Sequence, residues 1–246
     1  MKELFIVPNN DGEAVEIQKL LRDNGCEFLV TNQPWGASWE LLEPEILNKI
    51  SLFNGIVYGI ELIGKLQIIK CINIDHHKYS NDDRSNQLSS LEQVANIIKV
   101  DLTEYQKAVS DKDKGYIDLM KLKGYSQDII DAVRLQDRLA QGITQEHEES
   151  AIEAIKHLKQ YENLTIVNLP HDKCSTVTDR LYGQFTNLLI VCNNTELDFY
   201  GDYNVCLKLQ EEFGGWVGGG HLNGFWGGYI KNIDIVKDYI KRTLCV

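Results

Sequence analysis

The residues best suited to chemistry are Asp75-His76-His77, preceded by Asn73-Ile74. They stand where an apolar run, Ile68 to Ile74, gives way to a polar stretch holding Asp82, Asp83 and Arg84. One aspartate and two histidines supply hard oxygen and borderline nitrogen donors, a mixture suited to Mn²⁺, Fe²⁺, Co²⁺ or Zn²⁺. The tripeptide by itself is equally well read as a polar loop with solvent-facing histidines. Its company shifts the balance. The first apolar run leads into Asn9-Asn10-Asp11-Gly12-Glu13, a later one ends at Gly59-Ile60-Glu61, and Ser110-Asp111-Lys112-Asp113-Lys114-Gly115 follows downstream. Carboxylates gathered within a few ångströms repel one another, and divalent cations relieve that repulsion. Taken singly, Asp11 or Asp113 is explained as well by helix capping or solvation.

A scaffold that gathers these groups is legible in the hydrophobic pattern. Leu4–Val7, Glu27–Thr31, Gly55–Ile60 and Ile68–Ile74 read as strands, and Glu13–Asn24 reads as an amphipathic helix stopped by Gly25. Ser89-Ser90-Leu91-Glu92 reads as a capping box opening a helix with Leu91, Val94, Ala95 and Ile98 on its buried stripe. Alternating strands and helices imply a mostly parallel sheet, whose ligands collect at the carboxyl ends of the strands. Leu102 to Tyr161 reads as helical throughout, with helices over Asp128–Gln141 and Thr144–Gln160. Strands at Leu164–Leu169, Leu188–Cys192 and Leu197–Tyr200 follow, then helices near Tyr203–Glu212 and Ile233–Thr243. The expected fold class is therefore α/β: an N-terminal mostly parallel sheet flanked by helices, with a second, smaller α/β C-terminal domain. The expected domains are 1–145 and 160–246, with a helical connector over 146–159.

Residues Gly214 to Gly228 hold eight of the 19 glycines. Within them stands Gly218-Gly219-Gly220-His221, followed by Leu222-Asn223-Gly224. The Asp-His-His together with this distant GGGH resembles the DHH phosphoesterase superfamily, in which a DHH domain precedes a DHH-associated C-terminal domain. The resemblance covers essentially the whole chain. It implies metal ligation by Asp11, Glu13, Glu61, Asp75, His76 and Asp113, with Asp75 either a ligand or a partner to the ligands. It implies catalytic roles for Asp75, His76 and His77, the last facing substrate phosphate. Gly218, Gly219, Gly220 and His221 are implied to cradle a phosphate, glycine allowing the backbone to approach closely. The chain departs from the family at Ile6-Val7-Pro8-Asn9, where many relatives carry a histidine, and at Glu13 and Glu61, where Asp is usual. An amide oxygen of Asn9 or Asn10 is one replacement for the absent nitrogen; one strong and one weak metal site is the other reading. Asp111 competes with Asp113, and the Lys-Gly that follows favours Asp113.

The resemblance implies a divalent-metal-dependent phosphoesterase acting on short phosphodiester or phosphoanhydride substrates: small oligonucleotides, and linear or cyclic dinucleotides. The implied cofactor is Mn²⁺, as one or two ions, with Mg²⁺ or Co²⁺ as substitutes. The alternative is a non-catalytic nucleotide-binding sensor on a degenerate phosphoesterase scaffold. Composition limits the partners. With 36 acidic and 25 basic residues the formal charge is −11, which disfavours a broad grip on long nucleic acid. A small phosphorylated substrate or short oligonucleotide is expected, no membrane partner, and a homodimer is compatible. No export signal or membrane span is read, and the six scattered cysteines lack a CxxC pair, so a cytoplasmic chain with reduced thiols is expected. That spacing disfavours an all-cysteine zinc site. His147, His157 and His171 read as solvent-facing, and Lys112 and Lys114 as either phosphate contacts or a solvated face. Trp35 to Trp39 reads as core or cleft wall. Trp216, Phe225 and Trp226 read as core or as a stacking surface for a base.

Overall fold

The computed structural model describes residues 2–34, 36–66, 71–79, 82–220 and 223–244. The chain divides into two compact units, 1–142 and 143–246. In the first, β1 (Glu3–Pro8), α1 (Gly12–Asp23) and β2 (Glu27–Thr31) form a strand–helix–strand unit. A 3₁₀ turn at Trp39–Leu41 precedes α2 (Pro44–Leu52), β3 (Ile56–Ile60) and β4 (Cys71–Ile74). The four strands lie in the order β2-β1-β3-β4 and are all parallel. A small antiparallel pair, β5 (Lys78–Tyr79) and β6 (Asp82–Asp83), follows the sheet.

Side-chain alternation sends Leu4, Ile6 and Val57 to one face, where Ile46 and Ile50 of α2 and Trp39 complete a core. Phe5 and Tyr58 point to the opposite face and stack with ring centroids 5.0 Å apart. Trp39 is fully buried because Gly59 leaves room for its ring: a Cβ at Gly59 would stand 2.1 Å from Trp39 Cζ2. The Trp39 indole N–H donates to Asn73 Oδ1 at 2.6 Å, which ties this core to the end of β4. Core packing is thus the role of Trp39; Trp35 lies outside the described residues.

Helices α3 (Ser90–Ile98), α4 (Glu104–Leu122) and α5 (Gln127–Ala140) complete the first unit. Ser89 caps α3 through the reciprocal bonds of a full capping box with Glu92. Helix α4 is broken at Gly115 and Tyr116, the latter at φ 56°, just past Asp113.

The second unit runs α6 (Gln145–Lys156), β7 (Lys159–Tyr161), β8 (Leu164–Leu169), α7 (Ser175–Thr178), β9 (Asn187–Cys192), β10 (Glu196–Gly201), α8 (Tyr203–Phe213), β11 (Trp216–Gly220), β12 (Asn223–Tyr229) and α9 (Ile233–Leu244). Its sheet has the order β11-β12-β10-β9-β8-β7, with β8 and β9 parallel and the other pairs antiparallel. Along β9, Leu189 and Val191 enter the core beneath α8 and α9, while Leu188, Ile190 and Cys192 enter the one beneath α6 and α7. Helices therefore cover both faces, as a strand buried on each side requires.

Two expectations are corrected. The C-terminal domain is not the smaller in its sheet: six mixed strands stand against four. The end of the expected helix over Thr144–Gln160 is strand β7, paired with β8. The glycine-rich run forms strand on both sides of the residues left undescribed. Aromatic rings fill the space that Cβ atoms would need there, with Phe225 lying over Gly218 and the Trp216 indole over Gly227. Trp226 is fully buried and its indole N–H donates to Gly214 O at 2.8 Å, so it belongs to the core and offers no face to a base. Among the described residues, no helix is long and apolar enough to cross a membrane.

Candidate metal centre

Because β1, β3 and β4 are neighbours and parallel, the segments leaving their carboxyl ends converge. Asp11 leaves β1 and caps α1, its Oδ1 accepting from the Ala14 N–H at 2.8 Å. Glu13 lies one residue into that helix and is 1% exposed. One of its oxygens accepts from the Leu91 N–H at 3.0 Å, at the start of α3, and Oε2 is buried with no hydrogen-bond donor. Glu61 follows β3 in the left-handed region at φ 51°, a conformation that a non-glycine residue holds at a cost of about 1–3 kcal/mol. Its N–H donates to Ile74 O at 2.8 Å, and Ser90 Oγ donates to its carboxylate at 2.8 Å.

Asp75, His76 and His77 follow β4. His76 Nε2 stands 2.6 Å from Asp113 Oδ2, 3.6 Å from Glu61 Oε1 and 3.9 Å from Glu13 Oε2. The two imidazole rings lie 4.2 Å apart. One ligand atom from each of Glu61, His76, His77 and Asp113 falls within 4.8 Å of the others. Asp75 is turned to its own loop instead. Its Oδ1 accepts from the His76 and His77 N–H groups at 2.8 and 2.9 Å and contacts His77 Nδ1 at 3.0 Å, while Arg84 reaches Oδ2 at 3.4 Å. Asp75 thus sets the conformation that presents the two histidines.

Burial and mutual repulsion dominate the electrostatics. Desolvation, then the charge on Asp113, pushes Asp11 up to about 6. Desolvation and the neighbouring carboxylates hold Glu13 and Glu61 well above the usual range. Burial also pushes Asp113 up, but the bond from His76 and the charges of Lys112 and the histidines outweigh it and leave it low. Asp75 raises His77 by accepting its ring hydrogen bond, against the effect of burial.

The donor set fits a hard or borderline divalent cation: carboxylates and imidazoles, drawn together with uncompensated charge. Glu13 Oε2, buried without a donor and 3.9 Å from His76 Nε2, adds to that fit. Asn9 is engaged elsewhere, its Oδ1 accepting from Gln18 Nε2 at 3.3 Å.

Of the remaining expected residues, Asp111 accepts from the Tyr125 hydroxyl at 2.9 Å and pairs with Lys114, apart from the cluster that Asp113 joins. Lys112 and Lys114 are both engaged in ion pairs within the unit. Lys112 Nζ bonds Asp137 at 2.8 Å, and Lys114 Nζ bonds Glu92 at 2.8 Å. His171 is buried, with Nε2 3.0 Å from the carbonyl of His147. Gly218, Gly219 and Gly220 lie on β11, and His221 lies outside the described residues.

Sequence reasoning missed Ser90 and the buried trio Lys112, Arg134 and Asp137. Asp137 accepts from Lys112, from Arg134 at 2.9 Å and from the Gly12 N–H at 3.0 Å, fastening α5 to the start of α1 beside Asp11. The alternation of acidic and basic residues on α5 was the available signal. Beside Asp75 a cleft of about 410 Å³ is lined by Trp39, Lys65, Asn73, Arg84, Asn86 and Gln93 among others.

No protein-family model and no curated protein matches this chain. Solved structures do. A DHH domain from a member of the S1p family of ribosomal proteins aligns with TM-score 0.54 and 12% identity, over 99% of this chain and 86% of that one. The likeness is one of fold: this chain has the architecture of that DHH domain. Two further structures are similar in fold. RecJ from Thermus thermophilus in complex with Mg²⁺ aligns with TM-score 0.54 and 10% identity, over 98% of this chain and 49% of that one. An exopolyphosphatase-related protein from Bacteroides fragilis aligns with TM-score 0.52 and 14% identity, over 98% of this chain and 92% of that one. In the present chain, the Asp-His-His segment follows β4 and faces the carboxylates that leave β1 and β3.

Proposed function

We propose that this protein is a divalent-metal-dependent phosphoesterase acting on short phosphodiester or phosphoanhydride substrates. The observation that carries the reading is the convergence of Glu61, His76, His77 and Asp113 within 4.8 Å at the carboxyl end of a parallel sheet. The Mg²⁺ in the RecJ structure of the same fold supports a divalent ion here, and Mn²⁺ suits the mixture of carboxylate and imidazole donors equally well. Asp11, Glu13, Glu61, His76 and Asp113 would hold one or two such ions. Bound there, divalent ions would lower the pKa of water and polarise phosphoryl oxygens.

The chain's own residues supply the rest. Asp75 fixes the histidine pair by accepting two backbone N–H bonds and the His77 ring bond. That last bond favours cationic His77, whose side chain is 30% exposed and is assigned to charge developing on phosphate. Ser90 and the start of α3 orient Glu61 and Glu13. Lys65 and Arg84 give the adjoining cleft a basic lining fitted to a second phosphate or a sugar edge. We assign the chemistry to the N-terminal unit, and substrate binding to Gly218, Gly219, Gly220 and His221 of the C-terminal unit. The formal charge of −11 accords with short substrates and with no long nucleic acid.

The test is incubation with Mn²⁺ and a panel of di- to tetranucleotides, cyclic dinucleotides and polyphosphate. At least one is hydrolysed, and chelation stops the reaction. Tight binding of a panel member with no turnover would overturn the enzyme and leave the nucleotide sensor.

A further inference from the structure

In the C-terminal unit two thiols and a carboxylate meet. Cys174 Sγ lies 3.3 Å from Cys192 Sγ and 3.2 Å from Asp198 Oδ2, and Cys192 Sγ lies 3.6 Å from the same oxygen. Topology brings them together. Cys192 ends β9, Asp198 lies on β10 paired antiparallel with it, and Cys174 sits in the segment leaving β8, the parallel neighbour of β9. The Asn193 N–H donates to Leu169 O at 3.0 Å, which holds the two strand ends side by side.

The setting is unusual for an aspartate. Asp198 is 6% exposed, and among the described residues its hydrogen-bond partners are the two thiols, with no cation paired to it. A buried carboxylate served only by weak S–H donors lacks the compensation that burial demands. A metal ion would supply it.

We propose that Cys174, Cys192 and Asp198 form a second metal site, selective for a thiophilic divalent ion such as Zn²⁺ and separate from the DHH cluster. Tetrahedral zinc, with bonds of about 2.3 Å to sulfur and about 2.0–2.2 Å to oxygen, sets its donors roughly 3.5–3.8 Å apart. The three atoms here already form a nearly equilateral triangle with edges of 3.2, 3.3 and 3.6 Å. Opening it by a few tenths of an ångström makes one face of the tetrahedron, and water takes the fourth position. Binding exchanges the two thiol protons for the ion, and no electron moves. Thiolate donors select Zn²⁺ over the Mn²⁺ or Mg²⁺ preferred by carboxylates, so the two sites load independently. The ion would pin the segment after β8 to the β9–β10 hairpin.

The test uses the full chain, reduced and stripped with a chelator. Co²⁺ produces a near-ultraviolet thiolate-to-cobalt charge-transfer band, which an oxygen and imidazole site cannot give. The band persists in His76→Ala and is lost in the double variant Cys174→Ser, Cys192→Ser. Should that variant fail to fold, alkylation of the unmodified chain decides. Zn²⁺ slows modification of Cys174 by about tenfold or more, while the half-buried Cys26 is unaffected. The proposal falls if the unmodified chain gives no such band, or if Zn²⁺ leaves the alkylation of Cys174 unchanged. It falls equally if the pair is recovered as a disulfide that takes up no metal.

Discussion

His76→Ala lowers divalent-ion-dependent hydrolysis at least about 100-fold, because it removes the side chain that touches three carboxylates at once. Its Nε2 lies between Asp113, Glu61 and Glu13. Without it those acids keep their burial and lose their shared nitrogen neighbour. The loss is expected in kcat more than in KM, since the proposed role of the cluster is on the reacting phosphate rather than on the rest of the substrate. Asp75→Asn is the informative comparison. Asp75 contacts the backbone and ring of the histidine pair, so it is a positioning residue, and its replacement costs a smaller factor of about 10–100. The Mn²⁺ dependence of Asp75→Asn shifts to higher concentration while saturation remains attainable. Equal activity of His76→Ala and the unmodified chain would remove His76 from the site.

Asp137→Ala is the substitution with the largest expected effect on stability, about 3–5 kcal/mol. The carboxylate is 2% exposed and is the anion for both Lys112 and Arg134, whose side chains are themselves 12% and 5% exposed. Removing it strands two buried cations and also frees the Gly12 N–H at the start of α1. Burial pushes the Asp137 carboxyl up, but Lys112 and Arg134 more than offset this and hold it below its ordinary value. A carboxyl depressed in the folded state contributes stability that is present above its unfolded value and is lost as pH falls through the folded one. The Asp137→Ala deficit is therefore full at neutral pH and shrinks in acid, as urea unfolding at several pH values would record. A midpoint unchanged at neutral pH would show that the trio does not hold α5 to α1. Because Asp11 caps the same helix, the variant also weakens divalent-ion binding.

How far the sequence could be read follows from what each signal encodes. Short Ile- and Val-rich runs ending in acids place Glu61 and His76 just past the ends of neighbouring parallel strands, and the chain contains that arrangement. The capping box at Ser89 and Glu92 is equally local and stands as read. That Ser90 then reaches Glu61 is not local: it depends on where α3 enters the sheet end. Arg134 and Asp137, three residues apart on an amphipathic helix, look like a solvated ion pair until Lys112 arrives from another helix. Asp75 shares its residue type with the ligands, yet a short acidic side chain before two N–H groups serves its own loop as readily. The glycine-rich run defied a strand reading because glycine has little β propensity, and the rings of Phe225 and Trp216 that compensate lie across the pairing. Cys174 and Cys192, far apart in sequence, meet only because β8 and β9 are parallel.

The central claim is that the acidic and imidazole groups at the end of the first sheet hold divalent cations. Calorimetric titration of the chelator-stripped chain with Mn²⁺ tests it most directly, with His76→Ala run in parallel. Saturable uptake of one or two ions by the unmodified chain, with affinity lost or greatly weakened in His76→Ala, is the predicted result. No saturable uptake, or uptake identical in the two proteins, would contradict it.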